Sequence, residues 1–171
     1  MTPVLALDLA TSTGWALRDT SGQVNSGVQT FDLRRGESAG MRFLRFRAWL
    51  REIMALAYSR DLGHAAREKG VVAFEQAHHR GGHATSLAVG LVTVVLEEAA
   101  AQGWETTSVH TATLKKHATG NGRASKEDMI RAAVKAFGLT KIEDGVGSPC
   151  SDEADAICVL AWALEQIGEA T

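Results

Sequence analysis

Residues 4–16 read VLALDLATSTGWA, an apolar run that contains one acid and ends in a polar stretch with a glycine. Aliphatic residues bounded by turn-forming residues are typical of a buried strand, which we place at residues 3–9. Asp8 lies within this strand, at a position where a core residue is expected. Because burying an unpaired carboxylate costs several kcal/mol, Asp8 needs either a buried Arg or Lys partner or a place in a functional cluster.

A second unusual stretch, DEADA at residues 152–156, starts an otherwise apolar helix that we predict to run from about residue 152 to 168. The helix dipole favours acids in the first turn, which explains one carboxylate. Asp152 and Asp155 are three residues apart, so they share a helix face and repel each other. We therefore expect a positive group between them, whereas Glu153 lies off that face and is interpreted as a helix N-terminal charge.

Between these stretches the hydrophobic pattern predicts alternating strands and helices. A second strand begins at residues 14–17 and a third covers 27–31, with a hairpin turn at 19–22. The remaining predicted elements are helices at 40–59 and 84–102, strands at 70–76 and 104–110, and a penultimate helix that starts with a capping box of Ser125 and Asp128 and is closed by Gly138. This order predicts an α/β fold with an RNase H-like mixed five-stranded sheet, its strands 1–3 antiparallel and 4–5 parallel, flanked by helices.

The composition limits the class of protein. The 171 residues, 45% hydrophobic and 22% charged, fit a single globular domain over residues 1–171. A net charge of −2 argues against a generic basic coat for nucleic acid but leaves room for a local basic patch. The N-terminal run has no basic segment and is interrupted by Asp8, so we expect no signal peptide, no membrane segment and a cytoplasmic location. Cys150 and Cys158 are expected to be free thiols.

Glu75 is a third charge in an apolar setting, near the end of the predicted strand GVVAFEQ. In the predicted sheet the first and fourth strands are neighbours, and the last helix crosses their ends. Four acids are expected to meet there as catalytic residues and metal ligands: Asp8, Glu75, Asp152 and Asp155. Oxygen ligands without His or Cys select Mg²⁺ or Mn²⁺. Two ions about 4 Å apart would align a water and stabilise the leaving oxygen of a phosphodiester.

With these motifs the sequence resembles the RuvC-type Holliday junction resolvases of the RNase H-like nuclease superfamily. The resemblance runs from LALDLATSTGWA through VVAFEQ to SDEADAICVLAWAL. The family's acids and its two lysines eleven residues apart fall on Asp8, Glu75, Asp152, Asp155, Lys115 and Lys126. The resemblance implies a homodimer that nicks opposed strands of a four-way DNA junction and leaves 5′-phosphate and 3′-hydroxyl ends.

The chain departs from the family after its first and fourth strands. The family often has Asp-Pro-Gly or Asp-Pro-Ser where this chain has Asp8-Leu9-Ala10, and an aromatic wedge after Glu-Gln where this chain has AHHRGGHATS. His78 or His79 can stack on a base, with less apolar area than a larger ring. Cutting of other branched structures therefore stays an alternative.

The segment HHRGGH at residues 78–83 is predicted to contact DNA through His78, His79 and Arg80. Glycines allow the backbone to approach phosphates, and Arg80 supplies positive charge. The alternatives are a surface loop without function and, less well supported by three histidines without a partner acid, a metal site.

A second basic group surrounds Gly120-Asn121-Gly122 and is predicted to bind phosphates; its members are Lys115, Lys116, His117, Arg123 and Lys126. Lys126 is also expected to stabilise charge on the transferring phosphate. The alternative is a solvated turn.

Three other functions compete with a resolvase. Sugar kinases and actin-like ATPases share LDLATSTGWA-like loops, but they need two such domains, which 171 residues cannot hold. A nuclease acting on RNA or on a single duplex fits the same acids. A non-catalytic junction binder gains nothing from a cluster that repels phosphate. The apolar helix at 84–102 is expected to be largely buried, either in a dimer interface or in the core.

Overall fold

The structure is a computed structural model that describes residues 1–58, 69–76, 83–137 and 150–169. The strands are β1 (Val4–Asp8), β2 (Ser12–Arg18), β3 (Val24–Thr30), β4 (Val71–Glu75) and β5 (Glu105–Val109). The helices are α1 (Gly40–Leu56), α2 (His83–Ala101), α3 (Thr111–Thr119), α4 (Lys126–Ala136) and α5 (Ser151–Gln166).

The five strands form one mixed sheet in the order β3-β2-β1-β4-β5. β1 pairs antiparallel with β2 and parallel with β4, while β2–β3 is antiparallel and β4–β5 is parallel. The predicted fold class is therefore confirmed. β1 is the central strand, so its carboxyl end and that of β4 open at the same edge of the sheet.

Alternation along β1 divides the molecule into two cores. Val4 and Ala6 pack on the face that also holds Ile157 and Leu160 of α5. Leu5 and its i+2 neighbour face the other way, towards the aromatic and aliphatic side chains of α1 and α2. Each fully buried aliphatic side chain contributes about 1.5–3 kcal/mol, so this period of two fixes which face every β1 residue occupies.

The β2–β3 hairpin forms where the sequence predicts a turn. The Asp19 carboxylate accepts hydrogen bonds from the backbone N–H of Ser21 at 2.8 Å and of Gln23 at 3.0 Å. Gly22 follows with a φ of 89°, which favours glycine. Both strands begin earlier than predicted, at Ser12 and Val24. Their antiparallel pairing extends from the Ser12–Thr30 pair to the Arg18–Val24 pair and includes polar residues that the apolar pattern does not mark.

Helix α3 is an element that the sequence analysis did not predict. The His110 side chain caps it by accepting from the Ala112 N–H at 3.3 Å, and Gly120 ends it with a φ of 79°. The predicted capping box of Ser125 and Asp128 at the start of α4 is confirmed. The predicted closing Gly138 lies outside the described residues.

Within the single chain, α2 is buried on one face only, so the core alone does not account for the predicted burial. Leu91, Val95 and Ala99 are fully buried against α1 and the sheet. On the opposite face, Val89 and Leu96 each keep 45% of their surface exposed. A helix packed on one side only leaves its outer face uncovered, even when that face is apolar.

Ion pairs join α1 to α2. Arg51 binds Glu98 with two hydrogen bonds, Nε to Oε2 at 2.6 Å and Nη2 to Oε1 at 2.9 Å. Arg47 lies 3.4 Å from the same carboxylate. Glu98 is buried, so these arginines supply the partners that a buried acid requires.

Among the helices of the described ranges, none is long and apolar enough to cross a bilayer.

Candidate active site

Two of the predicted acids lie side by side where β1 and β4 end. Asp8 shares its face of β1 with Ala6, which is the face covered by α5. Glu75 shares that face through the alternation of β4. The parallel register pairs Leu7 with Phe74, so the next residue on each strand is one of the two acids.

A glycine brings α5 down onto these strands. Gly14 on β2 is the register partner of Asp8. A Cβ on Gly14 would lie 1.9 Å from the backbone oxygen of Asp152, in the first turn of α5. Only glycine permits this approach, and it places Asp152 and its i+3 neighbour Asp155 beside Asp8. The sequence analysis did not identify Gly14 as a site residue, although a glycine inside a strand can mark a close backbone approach.

The four acids lie within electrostatic reach of one another. Burial, followed by the charges of Asp155, Glu75 and Asp152, raises the pKa of Asp8 to about 7. Burial and then the charge of Glu75 raise the pKa of Asp155 to about 6, and Asp152 adds to this. The structure therefore brings together the acids that the sequence predicted to meet, and their mutual repulsion favours a bound cation or a bound proton.

Three of the four acids have no arginine or lysine partner among the described residues. Asp8, Asp152 and Asp155 form no ion pair with a described side chain. Asp152 accepts a hydrogen bond from the Ser151 hydroxyl at 3.0 Å. The described part of the chain therefore provides no buried cationic partner for Asp8, which was the alternative to a functional cluster. Glu153 instead accepts from the Ser26 hydroxyl at 2.7 Å, which ties α5 to β3.

Two lysines border the acids without pairing with them. Lys126, exposed at the start of α4, lowers the pKa of Asp8 and Asp155, against the larger opposing effects of burial and of the neighbouring acids. Lys115 of α3 also lowers the pKa of Asp155. Its Nζ donates to the backbone oxygen of Ala124 at 2.8 Å, which connects α3 to the segment before α4.

The other predicted DNA-contacting residues differ in how far the structure describes them. Lys116 and Arg123 are exposed, and their side chains form no hydrogen bond with another described residue. His78, His79 and Arg80 lie outside the described residues.

Helix α3 contributes a residue that the sequence analysis missed. The Thr111 hydroxyl donates a hydrogen bond to Oε1 of Glu75. The neighbouring backbone is joined as well, because the Gln76 N–H donates to the Val109 oxygen at 2.9 Å. The end of β4 is thus attached to the junction of β5 and α3. No pattern in TATLKKHAT indicated this contact, since it depends on how β4 and β5 pair.

The donor set fits a hard divalent cation in its chemistry. Carboxylate oxygens are the ligands that Mg²⁺ and Mn²⁺ prefer, and the raised pKa values of Asp8 and Asp155 reflect negative charge that a cation would relieve. Within the ranges that the structure describes, no three His, Cys, Asp or Glu side chains are arranged closely enough to hold one ion as they stand. Ion binding would therefore have to draw the carboxylates together.

Comparison with known proteins identifies the fold. No protein-family model matches the sequence, and no curated protein matches it. Among solved structures, the chain is similar to T. thermophilus RuvC in complex with a Holliday junction substrate, with a TM-score of 0.72 and 20% identity over 100% of this chain and 99% of that chain. It is also similar to a second Thermus thermophilus RuvC structure, with a TM-score of 0.67 and 20% identity over 99% of each chain. The described part of the chain thus has a RuvC-type fold.

Proposed function

We propose that this protein is a metal-dependent endonuclease that resolves four-way (Holliday) junctions by paired nicks in opposed strands, as a step of DNA recombination or repair. The observation that carries this function is the meeting of Asp8, Glu75, Asp152 and Asp155 at one edge of the sheet, with the pKa of Asp8 and Asp155 raised. A binding protein has no use for acids that repel phosphate. The solved relative that carries a Holliday junction substrate supports branched DNA as the ligand.

The same four acids would hold Mg²⁺ or Mn²⁺, two ions in each site. When bound, such ions activate a water and offset the charge that develops on a phosphodiester. Burial and mutual repulsion raise the pKa of Asp8, which favours a bound proton in the absence of cations. Because carboxylates must be ionised to act as ligands, cation binding would release that proton. Hydrolysis breaks the P–O3′ bond, with the water oxygen joining phosphorus, and leaves 5′-phosphate and 3′-hydroxyl ends.

Basic residues next to the acids would hold the DNA backbone. Lys126 is exposed at the start of α4 and close enough to affect Asp8, so its charge can stabilise the transferring phosphate. Lys116 and Arg123 are exposed on α3 and on the turn that follows it, where they can contact phosphates further along the strand. The Lys115 Nζ donates to the backbone oxygen of Ala124, which joins α3 to the segment that carries Arg123. Affinity for DNA should fall steeply with salt, despite the net charge of −2.

A homodimer would supply the two sites that paired nicks require. The outer face of α2 supports this assembly, because Val89, Thr93 and Leu96 follow helical spacing and are all exposed. Symmetric dimers use one self-complementary patch on both subunits, and an apolar helix face suits such a patch. The residues of α2 at 86 and 100 extend the same stripe.

A second candidate is a nuclease of broader specificity on branched DNA or on RNA. The sequence favours it at one point, because no Phe, Tyr or Trp follows Glu75 and Gln76 in AHHRGGH. A smaller wedge would reduce the advantage of a four-way crossover over other branched substrates.

The test is a substrate panel with purified protein and the Asp8→Asn variant. Labelled four-way junction, flap, duplex and RNA–DNA hybrid are each incubated with Mg²⁺, Mn²⁺ or EDTA. A resolvase gives paired, metal-dependent nicks in the junction, which Asp8→Asn loses while it still binds. Equal cutting of flap and junction, or cutting of the hybrid, supports the broader nuclease. Binding without cutting in either metal would exclude an enzyme.

A further inference from the structure

Thr111 makes a contact that its place in the helix does not require. It is the first residue of α3, but the helix is capped by His110, whose ring nitrogen accepts the Ala112 N–H. The Thr111 hydroxyl is therefore not needed for capping, and it donates to Oε1 of Glu75 instead.

This hydrogen bond limits how the Glu75 carboxylate can turn. The terminal torsion of a glutamate has a broad, nearly two-fold profile, so an unrestrained carboxylate samples many orientations. With Oε1 held by the Thr111 hydroxyl, the rotation of the Glu75 carboxylate plane is restricted. The donor itself is anchored, because the Gln76 N–H bonds to the Val109 oxygen and joins β4 to the strand that leads into α3.

A second residue on the same face of α3, Lys115, also lies near the acids. Lys115 lies four residues after Thr111, one helical turn along the same face. It lowers the pKa of Asp155, after the larger effects of burial and of Glu75 that raise it. Thr113, by contrast, is exposed, so this face of α3 is defined by Thr111 and Lys115.

We propose that Thr111 is a positioning residue, which orients Glu75 so that its carboxylate joins the other acids around a divalent cation. The role rests on the proposed function, because it assumes that Glu75 is a metal ligand. Groups that hydrogen-bond to metal ligands typically change metal affinity or activity by about 10–100-fold when they are removed.

The experiment compares three variants by calorimetric titration with Mn²⁺, in the absence of DNA. Thr111→Val keeps the shape of the side chain and removes the hydroxyl, whereas Thr111→Ser keeps the hydroxyl. Thr113→Val makes the same change at the exposed position two residues along the helix. We expect Thr111→Val to bind Mn²⁺ at least about tenfold more weakly, and the other two to bind like the wild type. Thr111→Ala replaces Thr111→Val if the valine variant has a lowered unfolding temperature.

Activity gives a second, independent readout. Thr111→Val should need more Mn²⁺ to reach half of its maximal junction cutting, while its Kd for the junction in EDTA is unchanged. Wild-type Mn²⁺ affinity in Thr111→Val, or an equal loss in Thr111→Ser, would overturn the role of Thr111 and leave the nuclease intact. If the wild type itself bound no Mn²⁺ and cut no substrate, the proposed function would fail together with this role.

Discussion

Two acids lie within apolar elements on opposite faces of the sheet, and their surroundings differ. Glu98, in the layer of α1 and α2, is buried with Arg51 and Arg47 against its carboxylate. Asp8, on the face covered by α5, has three carboxylates around it and no cationic ion-pair partner among the described residues. Both acids are charges in apolar sequence, so that pattern alone does not mark a functional residue. The difference lies in the partners, which only the fold reveals.

The largest effect is expected when the charge of Asp8 is removed. Its folded pKa of about 7 lies above the ordinary value of 3.8, so the folded state holds the proton more tightly than the unfolded chain. The stabilisation from that proton is complete below pH 4 and is lost as pH rises through 7. A shift of about three pKa units corresponds to at most about 4 kcal/mol. Asp8→Asn should therefore unfold at a higher temperature than the wild type at pH 8 without metal.

Thermal unfolding from pH 4 to pH 8 checks this expectation. The gain in Asp8→Asn should shrink towards pH 4, and Mg²⁺ at pH 8 should stabilise the wild type more than the variant. A variant that is less stable than the wild type at pH 8 would show that Asp8 has a favourable partner, as Glu98 does.

Gly14→Ala tests whether close packing of α5 creates the cluster. The added methyl would overlap the Asp152 backbone, where the Cβ would lie 1.9 Å from the oxygen. Forcing an extra carbon into a packed site costs about 1–3 kcal/mol, and displacement of the first turn would separate Asp152 from Asp8. We expect lower stability and weaker Mn²⁺ binding, measured by denaturant unfolding and calorimetry. The control is Gly40→Ala, at a glycine outside the left-handed region whose added Cβ would meet no atom closer than the Ser38 Oγ at 3.8 Å. Unchanged Mn²⁺ affinity in Gly14→Ala would argue against this packing.

Glu98→Gln should behave in the opposite way to Asp8→Asn. Loss of the charge-assisted bonds to Arg51 costs about 1–2 kcal/mol, a value reduced because the arginine is well exposed. We expect a lower denaturant midpoint with unchanged Mn²⁺ affinity, since α2 lies on the far face of the sheet. Higher stability in Glu98→Gln would mean that the comparison with Asp8 does not hold.

The smallest effect concerns the outer face of the α1 and α2 layer. Leu96→Glu places a charge on each copy of the exposed stripe of α2, so the dissociation constant of the proposed dimer should rise at least about tenfold, or about 1.4 kcal/mol. Sedimentation over a dilution series measures it. Leu56→Glu changes an exposed leucine of α1 and serves as the control. A wild type that is monomeric at all concentrations would rule out this interface.

The strands and the acids were predictable from sequence because their signals are local. The period of two in VLALD and the i, i+3 spacing of Asp152 and Asp155 can be read without the rest of the chain. Helix α3 was missed because TATLKKHAT is short, rich in threonine and capped by a histidine. Neither the contact of Thr111 with Glu75 nor the role of Gly14 can be read locally, because both depend on how distant elements pack.

The exposed face of α2 is a second feature that the sequence does not predict. A helix with apolar residues all round has no contrast between faces, so its sequence predicts burial without saying what covers it. In the structure one face packs on α1 and the sheet, while Val89 and Leu96 stay exposed.

The most direct test of the proposed metal-dependent site is the rate at which wild type, Asp8→Asn and Glu98→Gln cut one labelled four-way junction in Mn²⁺. The cluster around Asp8 predicts that Asp8→Asn loses at least about a hundredfold in rate, while it stays folded and still binds the junction. The reason is that Asp8 would hold a cation that offsets the charge on the phosphate, and losing such stabilisation costs about that much. Glu98→Gln should cut at nearly the wild-type rate. Cutting by Asp8→Asn at the wild-type rate, or an equal loss in both variants, would contradict the assignment of these acids to catalysis.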